Sequence, residues 1–164
     1  MSVVVLDANA IIMHGRAFPE RVYTAVEAGT KLVLPRSVKQ ELVDDVLDAD
    51  NAPQNHRNAA QTIQELIDEG YLVLRQPKFE AYSDVIDEAR RRIADDSLPE
   101  HEVKADQYIP ALVCELSQND TVTLITADRK LRDTVEEITE RQGIADQVAL
   151  SDPDRALSLD HALG

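Results

Sequence analysis

The sequence predicts an α/β fold in which a central parallel β-sheet is covered by helices on both faces. Short aliphatic runs alternate with longer segments of helical periodicity along nearly the whole chain, the usual pattern of a parallel sheet with crossover helices. The first run, residues 3–6, is continuously apolar, as in a strand that is buried on both faces. A length of 164 residues without repeats or linkers favours a single domain over residues 1–164, with its core at about 3–150 and a short C-terminal tail.

The first half of the chain is predicted to hold three strands separated by helices. The strands are expected at residues 3–6, 31–34 and 71–74, where β-branched and aliphatic residues cluster. Helices are expected at residues 10–13 and 19–27, from Ser37 onward, and from about residue 57 to Gly70. Ser37 and Gln40 have the spacing of a capping box, so we expect Ser37 to be the N-cap of its helix. The predicted apolar face of that helix consists of Val38, Leu42, Val43, Val46 and Leu47.

The second half continues the alternation of helices and strands. Helices are expected at residues 80–93, 107–116 and 129–141, and strands at 121–125 and near 147–150. The acidic stretch 95–100, which contains Pro99, is expected to be a loop. In parallel α/β sheets, ligands bind at the carboxyl ends of the strands, so the residues that follow each strand are the first candidates for a functional site.

The charge composition excludes one common class of nucleic-acid-binding protein. Aspartate and glutamate outnumber lysine and arginine by 31 to 17, giving a formal net charge of −14, so a broad cationic binding face is not expected. The chain contains 18 aspartates but only 5 lysines, 4 tyrosines and 2 phenylalanines, a bias typical of proteins from salt-saturated cytoplasm. We therefore expect a halophilic source. Because acids are so frequent in this sequence, an acid at any single position is weak evidence for a functional role.

Cysteine usage and apolar segments indicate the compartment. The one cysteine, Cys114, cannot form an internal disulfide and fits a reducing cytosol, where we expect it to be packed and inert. The amino terminus lacks the features of a signal peptide, and no stretch approaches the ~20 apolar residues of a membrane span. We expect a soluble cytoplasmic protein with no membrane partner.

Two aspartates follow predicted strands. Asp7 comes directly after the first strand within an apolar segment, where a carboxylate is expected to be partly buried at a free-energy cost unless it has a partner. Asp128 follows the strand at 121–125 through Thr126 and Ala127. Each aspartate also precedes a predicted helix, so a purely structural role as an N-cap is an alternative for both.

Two further acids project from predicted helix starts. Glu41 lies one turn into the helix that begins at Ser37 and flanks its apolar stripe, although a solvated first-turn acid favoured by the helix dipole is an alternative. Asp106 begins the apolar stripe of the helix at 107–116, and we expect it to stand at the helix start. Pro110 is compatible with a helix that begins near Asp106, where capping is again the alternative role.

The predicted topology brings these four acids to one edge of the sheet. Carboxylates in one cleft would repel each other by ~4 kcal/mol per pair at about 4 Å and an effective dielectric of about 20, so either some are protonated or a cation is bound. Oxygen ligands without a nearby histidine or cysteine favour a hard divalent ion, Mg²⁺ or Mn²⁺. The sequence contains no zinc-ligand spacing, glycine-rich phosphate loop or nucleophile elbow that would favour another chemistry.

Four short motifs occur in order along the chain: Leu-Asp-Ala-Asn at residues 6–9, Val-Lys-Gln-Glu-Leu at 38–42, Ala-Asp-Gln-Tyr-Ile-Pro-Ala-Leu at 105–112 and Leu-Ile-Thr-Ala-Asp-Arg-Lys-Leu at 124–131. With these motifs and its α/β alternation, the chain resembles the PIN-domain nucleases over about residues 3–150. The resemblance implies a three-layer α/β/α fold with strand order 3-2-1-4-5. It also implies Mg²⁺- or Mn²⁺-dependent endonucleolytic hydrolysis of single-stranded or structured RNA that leaves 5′-phosphate and 3′-hydroxyl ends.

The resemblance also implies roles for individual residues. The metal-binding and catalytic acids that it implies are Asp7, Glu41, Asp106 and Asp128. The polar supports that it implies at the same edge are Asn9 and Thr126. Pro110 departs from the family pattern, which usually has a small helix former after the third acid, and the resemblance implies no role for the polar link at 95–103.

Basic residues near the motifs are the candidates for binding RNA. Three of them follow Asp128, and we predict that they contact phosphates: Arg129, Lys130 and Arg132. The triplet at 90–92 is the densest basic cluster, but we expect it to be a solvated helix face. The aromatic residues are scattered, so we expect core and rim positions rather than a clustered stacking platform.

Three functions remain open from the sequence. The first is the metal-dependent endoribonuclease, either as the toxin of a toxin–antitoxin pair or as an RNA-processing enzyme. For this function we expect an RNA substrate and an antitoxin protein as a candidate partner, and the resemblance implies a homodimer. The second is a catalytically inactive relative that binds RNA or protein. The third is an Asp-based phosphoryl-transfer protein with Asp7 as nucleophile. Asn9 argues against that function because it replaces the second aspartate of haloacid-dehalogenase-like phosphatases, and no lysine follows a later strand as in a receiver domain.

Overall fold

A five-stranded sheet forms the centre of the fold. The computed structural model describes residues 2–93 and 106–153. Every strand pairing is parallel, and the strand order is β3-β2-β1-β4-β5. The strands are β1 (Ser2–Leu6), β2 (Lys31–Pro35), β3 (Leu72–Arg75), β4 (Thr121–Ile125) and β5 (Val148–Ser151). The predicted fold class and sheet order are confirmed, and each predicted strand is correct to within one residue.

Helices connect the strands and cover the sheet. They are α1 (Ala8–His14), α2 (Phe18–Glu27), α3 (Arg36–Lys39), α4 (Asp45–Asp48), α5 (Gln54–Asp68), α6 (Ser83–Ile93), α7 (Ile109–Leu116) and α8 (Arg129–Arg141). A π-helical turn at Gln40–Asp44 joins α3 to α4, and 3₁₀ turns occur at Gly15–Ala17 and Ala145–Gln147. Residues 3–6 and 32–34 are at most 1% exposed, because helices cover both faces of the central strands. No helix within the described ranges combines the length and apolar character needed to cross a membrane.

A second, smaller hydrophobic cluster joins α6, α7 and α8. Its buried members are Val85, Ile86, Ala111, Cys114 and Ile138. Burial raises the pKa of the free Cys114 thiol to about 11, so the thiol is protonated at neutral pH. The cysteine is therefore a packed side chain, as its sequence context indicated.

The predicted capping box at Ser37 is wrong. The helix begins at Arg36, and its N-cap is Pro35, which is also the last residue of β2 and pairs with Arg75 of β3. Because the strand passes directly into the helix, Ser37 lies inside the helix and is not its N-cap. The helix then widens into the π-helical turn, which contains Glu41 and has no sequence signal of its own.

The start of α7 also differs from the prediction. Tyr108 is its N-cap, so Asp106 lies ahead of the helix and does not cap it. Pro110 falls in the first turn, where its missing N–H would have had no partner within the helix. The departure at Pro110 therefore fits the local backbone. The polar link at 95–103 lies outside the described residues.

Two of the three arginines at 90–92 have partners, and the first of them, Arg90, donates to Gln107 at 2.8 Å. Arg92 donates to Glu88 at 2.9 Å and to Glu137 of α8 at 2.5 Å, and Arg141 of α8 also binds Glu88. The hydrogen bond from Arg141 is the largest cause that lowers the pKa of Glu88. Arg92 is exposed, as expected for a solvated helix face, and it also ties α6 to α8.

We predict that Leu124→Ala in β4 destabilises the protein by ~2–5 kcal/mol, because Leu124 is fully buried and truncation leaves a cavity beside β1. The matched control is Ile12→Ala in α1, where the side chain is 61% exposed and the expected change is within ~0.5 kcal/mol. Denaturant unfolding at one fixed KCl concentration measures both. Equal stabilities for the two variants would contradict this placement of the core.

Candidate metal and nucleic-acid site

The register of the sheet aligns the ends of β1 and β4. Leu6 lies opposite Ile125, so Asp7 and Thr126 follow at the same level of the carboxyl edge. The backbone N–H of Asp7 also donates to the carbonyl of Ile125 at 3.4 Å, which extends the pairing by one residue. These two polar residues therefore lie where ligand sites of parallel sheets form.

The Asp7 carboxylate is 1% exposed and is held by both of its oxygens. Oδ1 accepts a hydrogen bond from the backbone N–H of Ala10 at 3.0 Å, which makes Asp7 the N-cap of α1. Oδ2 accepts a short hydrogen bond from the hydroxyl of Thr126. Capping thus occupies one carboxylate oxygen, and the contact across the sheet edge occupies the other.

Burial raises the pKa of Asp7 above its ordinary value, and the negative charge of Asp128 raises it further. Hydrogen bonds from Thr126 and from the backbones of Ala10 and Asn9 lower the pKa, but they do not offset burial. The ionised carboxylate is therefore costly as the fold stands. A cation beside it would remove that cost and favour ionisation.

Asp128 is partly exposed beside this buried carboxylate. Its Oδ1 accepts a hydrogen bond from the backbone N–H of Leu131 at 3.2 Å, so Asp128 is the N-cap of α8. Among the described residues, none donates a hydrogen bond to the second oxygen, Oδ2. That oxygen remains available for a ligand.

Thr126 connects the two aspartates. It is fully buried, and its hydroxyl donates to Asp7 while accepting the backbone N–H of Asp128 at 3.0 Å. Its own backbone N–H donates to the carbonyl of Ser151 at 3.0 Å, at the end of β5. Asn9 reaches Asp7 through its backbone, and its side chain is exposed.

The other two predicted acids do not join these aspartates in one ligand group. Glu41 is half-buried in the π-helical turn that follows β2 and α3. Asp106 is half-buried ahead of α7, which runs antiparallel to the strands and so begins near the carboxyl edge. Within residues 2–93 and 106–153, no three His, Cys, Asp or Glu side chains lie close enough together to hold a metal ion.

Arg132, a predicted phosphate contact, is bound to a carboxylate. Arg132 forms a salt bridge with Asp152 at 2.5 Å, just past the end of β5. Arg129 and Lys130 are exposed in the first turn of α8, directly after Asp128. These two cations therefore lie nearer to the candidate site than Arg132 does along the chain.

Two aromatic side chains that are far apart in the sequence are neighbours in the fold. The ring centroids of Phe79 and Tyr108 are 5.4 Å apart, and Phe79 is 50% exposed. The sequence gives no sign of this pair, because no helical or strand period links the two positions. They line an open pocket of about 200 Å³, together with residues of β2, α3 and the end of β3.

The observed sheet, with paired aspartates after two neighbouring strands, defines a protein of the PIN-like α/β/α class. A family model described as the halobacterial PIN domain matches residues 1–160, and the chain belongs to this family.

Two solved structures have a similar fold. The chain is similar to one in VapBC-1 from nontypeable Haemophilus influenzae, with 16% identity over 93% of this chain and 98% of that chain, and a TM-score of 0.51. It is also similar to one in FitAB bound to an IR36 DNA fragment, with 20% identity over 92% of this chain and 94% of that chain, and a TM-score of 0.51. No curated protein matches the chain. At these identities, the likeness establishes the fold and nothing more.

We predict that Thr126→Val lowers the free energy of unfolding by ~1–3 kcal/mol, because the isosteric change leaves the buried Asp7 Oδ2 and the partly buried Asp128 N–H without this partner. Thr126→Ser keeps the hydroxyl and is the matched control. Urea unfolding at neutral pH and constant salt measures both variants. If the valine variant were as stable as the serine variant, the hydroxyl would not hold the two aspartates.

Proposed function

We propose that this protein is a divalent-metal-dependent endoribonuclease that hydrolyses RNA phosphodiester bonds at the carboxyl edge of its sheet. The observation that carries the proposal is the buried Asp7 carboxylate beside Asp128, two like charges that a cation would stabilise. Membership of the PIN domain family supports a nuclease activity. Perturbed carboxylates of this kind are concentrated at functional sites.

The donor set of this site suits Mg²⁺ or Mn²⁺. Mg²⁺ usually binds one or two protein carboxylates and keeps several waters, so the Asp7–Asp128 pair is a sufficient protein contribution. Asp7 and Asp128 would hold the ion, with Glu41 and Asp106 as the further proposed acids. Such an ion would supply charge neutralisation at the scissile phosphate and a water of lowered pKa.

The chain's own residues would orient the site before RNA binds. The Thr126 hydroxyl keeps Asp7 in one orientation, and α1 and α8 begin at the two aspartates, where helix N-termini favour negative charge. In this proposal, the carboxylates would hold the ion and would accept the proton of the attacking water. No covalent link to a side chain is needed in this scheme.

RNA would be held near the site by the exposed cations of α8. Arg129 and Lys130 follow Asp128 directly, so a phosphate bound by them would lie beside the carboxylates. Arg132 would have to leave Asp152 to take the same role. We therefore favour Arg129 over Arg132 for a phosphate contact of this helix, with Lys130 as a further proposed contact.

We place this nuclease in the cytoplasm of a halophilic cell, either as the toxin of a toxin–antitoxin pair or as an RNA-processing enzyme. An antitoxin and a second copy of the chain are its proposed protein partners, and the occurrence of the fold in the VapBC-1 and FitAB assemblies supports a protein partner. Growth arrest on expression that a small neighbouring gene product relieves would support the toxin role. Unaffected growth would favour RNA processing.

The two other functions are distinguished by direct assays. A non-catalytic module would bind RNA or protein without metal-dependent cleavage. A phosphoryl-transfer protein would carry an acid-labile phosphate on Asp7. Incubation of the purified protein with mixed RNAs, with and without Mn²⁺ and at high KCl, separates the nuclease from both.

We predict that Asp7→Asn reduces Mn²⁺-dependent RNA cleavage by more than ~100-fold, beyond the ~10–100-fold loss that is usual when only a partner of a metal ligand is changed. Asparagine is an equally good N-cap, so α1 should form normally. The wild type should also gain thermal stability with Mn²⁺ because the ion binds the folded state, and the variant should lose this gain.

The control for this experiment is Asp133→Asn, which removes an exposed carboxylate of α8. It should keep both the cleavage rate and the Mn²⁺-induced thermal shift. Full cleavage activity in Asp7→Asn would exclude the role assigned to Asp7.

We predict that Arg129→Gln weakens RNA binding and reduces the slope of log affinity against log salt by about 0.7, the value for one phosphate contact on a single strand. Fluorescence anisotropy over a KCl series in EDTA measures the slope without cleavage. The control is Lys31→Gln at the amino end of β2, on the opposite edge of the sheet. An unchanged slope in Arg129→Gln would remove this residue from the RNA contacts.

A further inference from the structure

A pocket opens at the carboxyl ends of β2 and β3, beside the candidate metal site. The residues of its wall that matter here are Arg36, Gln40, Arg75, Phe79, Tyr108 and Leu112. It encloses about 200 Å³. Because drug-sized ligands occupy pockets of ~300–1,000 Å³, this one suits a single ring system rather than a larger molecule.

Two arginines at this pocket make no protein contact through their charge. Arg36 and Arg75 are exposed, and within the described residues neither guanidinium forms a hydrogen bond or an ion pair. By contrast, Arg92, Arg132 and Arg141 are all bound to carboxylates. In a chain with a net charge of −14, two such cations at one pocket favour an anionic ligand.

The same pocket presents an aromatic surface. Phe79 is 50% exposed, and its ring is inclined at 53° to the ring of Tyr108 at a centroid distance of 5.4 Å. Leu112 adds apolar surface from α7. An exposed aromatic ring beside arginines is the combination on which unpaired bases stack while their phosphates are neutralised.

The pocket adjoins the proposed active site. Val5 lies opposite Val33, so extending this register by two residues places Asp7 level with Pro35 in the pocket wall. Adjacent strands are ~4.8 Å apart, which puts Arg75, opposite Pro35 on β3, about two strand spacings from Asp7. That is the range of a neighbouring nucleotide of the same RNA strand.

We propose that this pocket binds one unpaired nucleotide of the RNA substrate next to the cleaved bond. The base stacks on Phe79 beside Tyr108, and the adjoining phosphate is bound by Arg36 and Arg75. The proposal rests on the proposed function for the identity of the ligand and specifies it further. A base inside a duplex cannot enter such a pocket without unstacking, so the pocket supplies a physical reason for a preference for single-stranded over duplex RNA.

The test measures binding of a 5′-labelled single-stranded RNA of mixed sequence, and of the same strand annealed to its complement, in EDTA at fixed KCl. Phe79→Ala should weaken single-strand binding about 5- to 150-fold, the usual effect of losing one stacked base, whereas Phe79→Tyr should bind like the wild type. Arg75→Gln should weaken binding and reduce the salt slope by about 0.7. Arg91→Gln, an exposed arginine of α6, is the matched control and should change neither.

Single-strand affinities of Phe79→Ala and Arg75→Gln equal to that of Arg91→Gln would overturn the proposal, as would a wild type that binds neither RNA. If Phe79→Ala weakened the binding of the single strand and of the duplex by the same factor, the proposal would also be overturned. Cleavage by the wild type with Mn²⁺ is measured in parallel. Loss of binding in the pocket variants without any cleavage by the wild type would support the pocket and reject the nuclease. Cleavage by the wild type with unchanged binding in the pocket variants would reject the pocket alone.

Discussion

The hydrogen bond from the Thr126 hydroxyl to the buried Asp7 carboxylate determines the arrangement of the candidate site. It joins the ends of β1 and β4, and because the same hydroxyl accepts the Asp128 N–H, it also sets where α8 begins. The bond only partly compensates burial, since the pKa of Asp7 remains raised. The fold therefore keeps a carboxylate where it is unfavourable in isolation, which is the kind of local conflict expected at a functional site.

Most of the fold could be predicted because each strand is a short aliphatic run, and all five agree with the prediction to within one residue. The signal is strongest for β1 and β2, which are buried on both faces, whereas the edge strands β3 and β5 are partly exposed. The order of the strands came from the family resemblance and not from periodicity, which carries no information about neighbours. Ser37 was assigned wrongly as an N-cap because the pairing of Pro35 with β3 is a tertiary constraint. The π-helical turn at Gln40–Asp44 has the composition of an ordinary helix.

The candidate site was predictable only in part, because some of its contacts join segments that are distant in the sequence. Asp7 and Asp128 could be identified because each follows a strand and precedes a helix, and the structure shows that both act as N-caps. The pairing of Phe79 with Tyr108 and the salt bridge of Arg132 with Asp152 depend on contacts between distant segments. Residue type alone therefore predicts Arg132 as a phosphate contact and gives no reason to assign a binding role to Phe79. How Glu41 and Asp106 take part remains a proposal that the residue pattern supports.

The protein has a large negative excess, and three of its arginines, Arg92, Arg132 and Arg141, are neutralised at close range by Glu88, Glu137 and Asp152. A polyanion approaching by diffusion meets long-range repulsion and is attracted only once it reaches the few uncommitted guanidinium groups. The range of that repulsion shrinks from ~10 Å at 0.1 M salt to ~3 Å at 1 M. Capture of RNA should consequently become faster as ionic strength rises, the opposite of the behaviour of basic nucleic-acid-binding proteins, whose encounter rates fall with salt.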